Sequence, residues 1–249
     1  MTPTSIAVVM PAYNEADGIG SFLTELHESL AEYETTFVVV DDASKDDTAG
    51  AVEACARTGV PVTVHRNEAN SGHGPSTLRA LRAGVALQTD LVVAVDGDGQ
   101  FTGADVARVV AAALERGVEI AEGVRRHRED PVFRRATTVT TRALVGVRCH
   151  HLPRDANTPL RVYRTSTLRR LLDVVPPNAI TPNLLISAIT RRWDLTIREV
   201  EVACLPRRGA TEAGTTWGQR RRSLPSKRFL MFCRDAAIEW VSTSPRRAA

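Results

Sequence analysis

The chain has 249 residues, 43% hydrophobic and 24% charged, a composition that suits a globular protein with a sizeable core and excludes a disordered one. No apolar run approaches the ~20 residues of a membrane-spanning helix, and the opening MTPTS lacks a basic signal-peptide start, so a cytoplasmic chain is expected. The net charge of +3 conceals a division: residues 1–120 hold 18 acidic against 7 basic side chains, and residues 121–249 hold 11 against 25, an acidic half suited to cations and a basic half suited to anions.

Strand signals come first as IAVVM (6–10), FVVV (37–40), VTVH (62–65), LVVAV (91–95) and VEIAEG (118–123). Short β-branched runs of this kind suit strands buried on both faces of a mostly parallel sheet. Between the first two, Ile19, Phe22, Leu23, Leu26 and Leu30 recur on one helical face. Ser44 with Asp47 and Thr102 with Asp105 resemble helix N-caps, and Pro75 suits a first helical turn after SGHG. The alternation predicts an α/β doubly wound sheet flanked by helices.

The second half is less regular. Arg125 to Arg135 reads as a basic loop containing Pro131, followed by a helix through Val147. LRVYR (160–164) reads as a strand, Thr181 to Arg192 as a helix opened by Pro182, and Thr196 to Val202 as a strand. A Gly-, Thr- and Arg-rich segment follows Pro206, and the last element, Lys227 to Val241, is an amphipathic helical tail that either lies on a membrane surface or packs on the domain. No linker isolates a second domain: residues 1–205 read as one unit and 206–249 as an appended loop and helix. Cys55, Cys149, Cys204 and Cys233 are widely spaced without a CxxC and read as reduced packing residues.

Ligands of such sheets bind beyond the carboxyl ends of the strands, where this chain places polar clusters: Pro11 to Glu15, Asp41 with Asp42, and Asp96-Gly97-Asp98. Two carboxylates two residues apart on an extended chain point to one side. Their repulsion is relieved by a bound cation, and hard oxygen ligands favour Mg²⁺ or Mn²⁺.

VVMPAYNEADGI, VVVDDASKDDT, NEANSGHGPSTLRAL and VVAVDGDGQF, in this order, resemble family 2 glycosyltransferases of the GT-A (Rossmann-like) fold. The resemblance is closest to the dolichyl- or polyprenyl-phosphate mannose synthase group and is strongest over residues 1–125. It implies a nucleotide-sugar and metal half (1–123) and an acceptor half (124–205). It further implies that Pro11, Tyr13, Glu15, Val40 and Asp42 hold the nucleotide of a GDP- or UDP-sugar. Asp96, Gly97 and Asp98 hold its diphosphate, with Asp96, Asp98 and Gln100 at a Mg²⁺ or Mn²⁺ ion. An aromatic ring such as Tyr13 can cover a base. On the acceptor side the resemblance implicates Arg125, Arg134 or Arg135, Asp155 and Arg161, with Arg207 or Arg208 serving the diphosphate. The resemblance implies Asp98 and Arg125 as the catalytic residues.

Departures from the family pattern bear on the acceptor. The loop expected to carry R-x-x-G-x-S-K reads Arg207 to Trp217 without the lysine, and Thr158-Pro159-Leu160 stands where Gly-Ser-Phe is usual. Members that glycosylate a hydroxyl usually carry an acidic base in the region that here reads AITPNLLIS (179–187), which holds no acid. A sugar hydroxyl needs such a base; a phosphate monoester, with its second pKa near ~6, does not. A polyprenyl-phosphate acceptor and a mannose or other hexose donor are therefore expected, at a cytoplasmic membrane surface with room for a membrane partner subunit and with no nucleic acid. The alternatives are a hydroxyl acceptor, for which Asp155 is the candidate base, and a non-catalytic nucleotide-sugar-binding protein.

Overall fold

The computed structural model describes residues 3–126, 146, 153–209 and 227–243. Its strands are β1 (Ser5–Ala12), β2 (Glu34–Asp41), β3 (Val62–Arg66), β4 (Leu91–Ala94), β5 (Ile120–Arg125), β6 (Arg161–Arg164) and β7 (Ile197–Val202). Its helices are α1 (Ala16–Ser29), α2 (Thr48–Arg57), α3 (His73–Ala86), α4 (Gly103–Ala113), α5 (Thr165–Val174), α6 (Pro182–Arg192) and α7 (Lys227–Ser242). The strands form one sheet in the order β3-β2-β1-β4-β6-β5-β7. Only β6 runs against its neighbours; every other pairing is parallel. The predicted α/β architecture, a mostly parallel sheet flanked by helices, is what the chain adopts.

Alternate residues of β1 explain the continuous apolar run. Ile6, Val8 and Met10 join a core with Phe22, Leu26, Phe37 and Val106. Ala7 and Val9 face a second core with Leu78, Leu81, Leu168 and Leu185. Both faces of the sheet are thus covered, one by α1 and α4, the other by α3, α5 and α6.

Several local expectations change. Helix α5 was not anticipated, although Leu168, Leu171 and Leu172 carry the helical spacing that buries it. Ser44 does not cap α2, which starts after Asp47; its hydroxyl instead accepts from the Asn14 amide at 2.9 Å. Thr102 does cap α4, accepting from the Asp105 amide at 3.0 Å. The Asp105 carboxylate does not return to the cap but accepts from Arg108 and the Ala203 amide. Thr102→Ala should lower stability by about 1 kcal/mol, the usual worth of a cap, read as an earlier urea midpoint with unchanged slope.

The tail helix α7 docks on the domain: Trp240 is buried in the second core. Its other face exposes Met231, Ile238 and Val241. Among the described residues no helix is long and apolar enough to cross a membrane. Cys55 is a free thiol. The side chains of Cys149 and Cys233, like the helix expected through Val147, lie outside the described residues.

Candidate functional site

Register builds the site. Ala12 of β1 pairs with Asp41 of β2, whereas β4 ends at Ala94 opposite Val9. The chain after β4 continues alongside the longer β1, its Val95 amide donating to Val9 O at 3.1 Å and its Gly97 amide to Pro11 O at 3.2 Å. A Cβ on Gly97 would stand 3.1 Å from that oxygen and 3.3 Å from Ala12 Cβ. Glycine permits this approach, and the approach sets Asp96 and Asp98 alongside the end of β1.

The loop after β1 is tied to the loop after β2. Asn14, held at φ 54°, donates its amide to Ser44 Oγ and accepts the Lys45 amide at 2.8 Å on Oδ1. The Glu15 amide donates to Thr48 Oγ1 at 2.9 Å, and the Ala16 amide to Asp46 at 3.1 Å. Asparagine tolerates the left-handed conformation better than most residues. These bonds turn Glu15 back over the strand ends, with Tyr13 half-buried beside it.

Three carboxylates come together there. Glu15 is pushed up to about 7, chiefly by burial, against the opposing Arg207 charge and with added repulsion from Asp98 and Asp96. Asp98 is pushed up to about 6, by burial first and then by Asp96. Arg207 pairs with Glu15 and holds its Nε 3.8 Å from Asp98. On the opposite side His73 Nε2 lies 3.7 Å from Asp96. Such carboxylates are under-compensated, and a divalent cation would favour their charged forms. No group of three or more His, Cys, Asp or Glu side chains that could hold a metal occurs among the described residues. A pair of carboxylates suits an ion that completes its shell with water and a diphosphate, the habit of Mg²⁺, so the residues fit the implied group.

Hydrogen bonds separate the roles of the neighbouring groups. The Arg208 amide donates to Asp98 O and the Leu205 amide to Gln100 O, both at 2.9 Å. This strap delivers Arg207 to the carboxylates and sends Arg208 away, to pair with Glu25 and stack 5.1 Å over Phe22. Gln100 donates its side-chain amide Nε2 to Leu205 O at 3.0 Å and so also ties down the strap.

Other expectations are corrected by burial. The Asp42 carboxylate accepts from Asn67 Nδ2, from the amide and hydroxyl of Ser71 and from the Gly72 amide, all within 2.9 Å. Three of these bonds reach Oδ1 and one reaches Oδ2, so Asp42 shapes the 67–72 loop while Oδ2 keeps accepting capacity. Val40 has 0% exposure and forms the floor of the site, not a contact surface. Pro11 is also buried but lines a narrow cleft with Asp96, Thr77, Pro159 and Asn183.

On the acceptor side Arg125 and Asp155 meet. Nε and Nη2 of Arg125 donate to the two Asp155 oxygens at 2.7 and 3.0 Å, and Nη2 also reaches Asn157 O. Burial opposes the arginine charge, but Asp155 outweighs it and raises its pKa, with Asp96 contributing. Bound in this way, Asp155 is a poor base. Arg161 has 0% exposure; it donates to Asn183 O, Ala156 O and Ser187 Oγ and approaches Glu122. The expected acceptor contact is corrected: Arg161 is an internal brace. Arg134 and Arg135 lie outside the described residues.

Sequence reasoning missed Glu239. From α7 it accepts the Ile180 amide at 2.6 Å, and the Thr181 amide and hydroxyl at 2.9 and 2.7 Å. No local motif could have announced it, because its partners lie 58 and 59 residues away.

Comparison with known proteins agrees with this geometry. An uncharacterized glycosyltransferase of Mycobacterium tuberculosis is 32% identical over 213 residues, covering 84% of this chain and 89% of its own. The undecaprenyl-phosphate 4-deoxy-4-formamido-L-arabinose transferase of Edwardsiella ictaluri is 28% identical over 201 residues, 79% of this chain. This chain spans only 60% of the length of that relative. Among solved structures, glucosyl-3-phosphoglycerate synthase from Mycobacterium tuberculosis with Mn²⁺, uridine-diphosphate and phosphoglyceric acid shares the fold at TM-score 0.65 and 19% identity, covering 97% of this chain and 78% of that one. The mannosyltransferase of Pyrobaculum calidifontis in complex with GDP-Man and Mn²⁺ does so at 0.59 and 22%, covering 87% and 59%. The family model described as glycosyl transferase family 2 matches residues 7–181, the span that carries the three carboxylates and the Arg125–Asp155 pair. On that match the chain belongs to glycosyl transferase family 2.

Proposed function

We propose that the protein transfers a hexose, with mannose the first candidate, from a GDP- or UDP-sugar to a polyprenyl phosphate. The observation that carries the donor half is the convergence of Glu15, Asp96 and Asp98 with Arg207 at the strand ends. Asp98, with Asp96, would hold Mg²⁺ or Mn²⁺, which supplies charge neutralisation for the departing diphosphate. Arg207 adds a fixed positive charge at the same carboxylates, and Tyr13, half-buried after β1, would cover the base. Relatives named for undecaprenyl-phosphate sugar transfer support the lipid acceptor, and solved neighbours with GDP-Man, UDP-Glc and Mn²⁺ support the donor class and the metal.

The acceptor half rests on chemistry. Asp155 is committed to Arg125, and Glu239 is committed to the corner before α6. A phosphate acceptor attacks as its own dianion and needs neither as a base. Arg125, fixed by Asp155, provides the cation on that side. The outward face of α7, with Met231, Ile238 and Val241 exposed, is the surface that would rest against the cytoplasmic face of a membrane, alone or beside a membrane partner subunit.

The test offers radiolabelled GDP- and UDP-sugars with Mn²⁺ to the full chain and undecaprenyl phosphate in detergent. Label is expected in the butanol-extractable lipid. Label entering only water-soluble glycosides would move the assignment to a hydroxyl acceptor, and donor binding without transfer or hydrolysis would make this a binding protein.

A further inference from the structure

We propose that Glu239, carried by the C-terminal helix, is a positioning residue that clamps the Ile180–Thr181 corner and thereby sets the acceptor-side wall of the cleft. This rests on the transferase reading above, with the cleft beside Asp96 taken as the place where acceptor meets donor. Thr181 is the N-cap residue of α6, yet its side chain makes no cap bond to that helix. Its hydroxyl and amide, with the Ile180 amide, donate instead to the Glu239 carboxylate at 2.6 to 2.9 Å. Three charge-assisted hydrogen bonds from one carboxylate to one corner define its position closely. The neighbouring Trp240, buried in the second core, fixes the helix that delivers it.

The other side of the corner reaches the site. A Cβ on Gly74 would come within 2.4 Å of Ala179 O and 2.5 Å of Ile180 O, so the first turn of α3 lies directly against this backbone. The residue before it, His73, stands 3.7 Å from Asp96. Thr77, one turn on, shares the cleft with Asp96, Pro159 and Asn183. Asn183 follows the corner by two residues, and its carbonyl is braced by Arg161 at 2.9 Å. A continuous set of contacts therefore runs from Glu239 through the corner to both walls of the cleft. The carboxylate that AITPNLLIS lacks is supplied from the tail, but as an acceptor of backbone hydrogen bonds, not as a free base.

The experiment uses the full chain with Glu239→Gln and Glu239→Asp. Glutamine turns one accepting oxygen into a donor facing donors; aspartate keeps the charge on a shorter arm. Amide hydrogen exchange over 73–77 and 179–185 is read beside KM for undecaprenyl phosphate, KM for the donor and metal-dependent donor hydrolysis without acceptor. Glu239→Gln should speed exchange at 180 and 181 and raise the acceptor KM by roughly tenfold, equivalent to the loss of one such bond. Donor KM and hydrolysis should stay within about twofold of wild type, a change worth under RT ln 2 or about 0.4 kcal/mol. Glu239→Asp should recover part of the acceptor KM. Unchanged exchange at the corner overturns the proposal, as does an equal fall of hydrolysis and transfer. A wild-type chain that neither hydrolyses nor transfers would sink the parent reading, and the exchange result would still decide the clamp.

Discussion

Asp98→Asn should reduce metal-dependent donor turnover by about a thousandfold or more, while the folded protein becomes no less stable and at neutral pH more stable. The two halves of this expectation share one cause. Asp98 is pushed from 3.8 to about 6 by burial and by Asp96, and Glu15 from 4.5 to about 7. A carboxyl whose folded pKa lies above its unfolded value keeps its proton in the fold after the open chain has lost it. The fold therefore loses stability as pH rises from about 4 to about 7, and the loss is complete above the folded value. For Asp98 the penalty is on the order of 2 kcal/mol at neutral pH, shared with the groups it repels. Asparagine cannot ionise, so its unfolding midpoint should be flatter between pH 5 and 8 than that of wild type. Mn²⁺ should stabilise the wild type increasingly over the same range, and the variant little. A variant that melts lower than wild type at pH 8 without metal would contradict this account of the site.

Asp155→Ala should be the most damaging single change to the fold, costing about 3–5 kcal/mol. It strands the Arg125 guanidinium, whose side chain is only 9% exposed, beside a carboxylate that is gone. The remaining bond to Asn157 O cannot replace a bidentate partner. The double variant Arg125→Met with Asp155→Leu removes both charges and should recover much of that stability, since a buried pair is seldom worth more than good apolar packing. Transfer should not return with it, because the acceptor-side cation is then lost. Urea melts of the two single variants and the double close the cycle. Additive single effects would show that the two side chains do not depend on each other.

The family and sheet were legible because their signals are local. Five β-branched runs fixed the strands of the first 125 residues, and the polar groups that follow β1, β2 and β4 fall at one edge of any doubly wound sheet. Asp96 and Asp98 could be placed there without coordinates, since strand periodicity and the carboxyl-end rule suffice. Sequence also left Arg207 and Arg208 as equals, and hydrogen bonds of the strap to Asp98 and Gln100 separated them.

Tertiary structure decided what each polar side chain does once it arrives. Arg161 occupies a motif position, yet buried acceptors of its own chain claim it, and Asp42 and Gln100 are engaged there in part. A motif records a residue type and a spacing, and neither says whether a buried group will find its partner in a ligand or in its own chain. That choice is made by desolvation, which obliges each enclosed polar group to bond with whatever is nearest. For Glu239 the nearest donors lie 58 and 59 residues away. The sequence alone determined that an acidic strand edge of family 2 type exists; only the fold determined how its side chains are partnered.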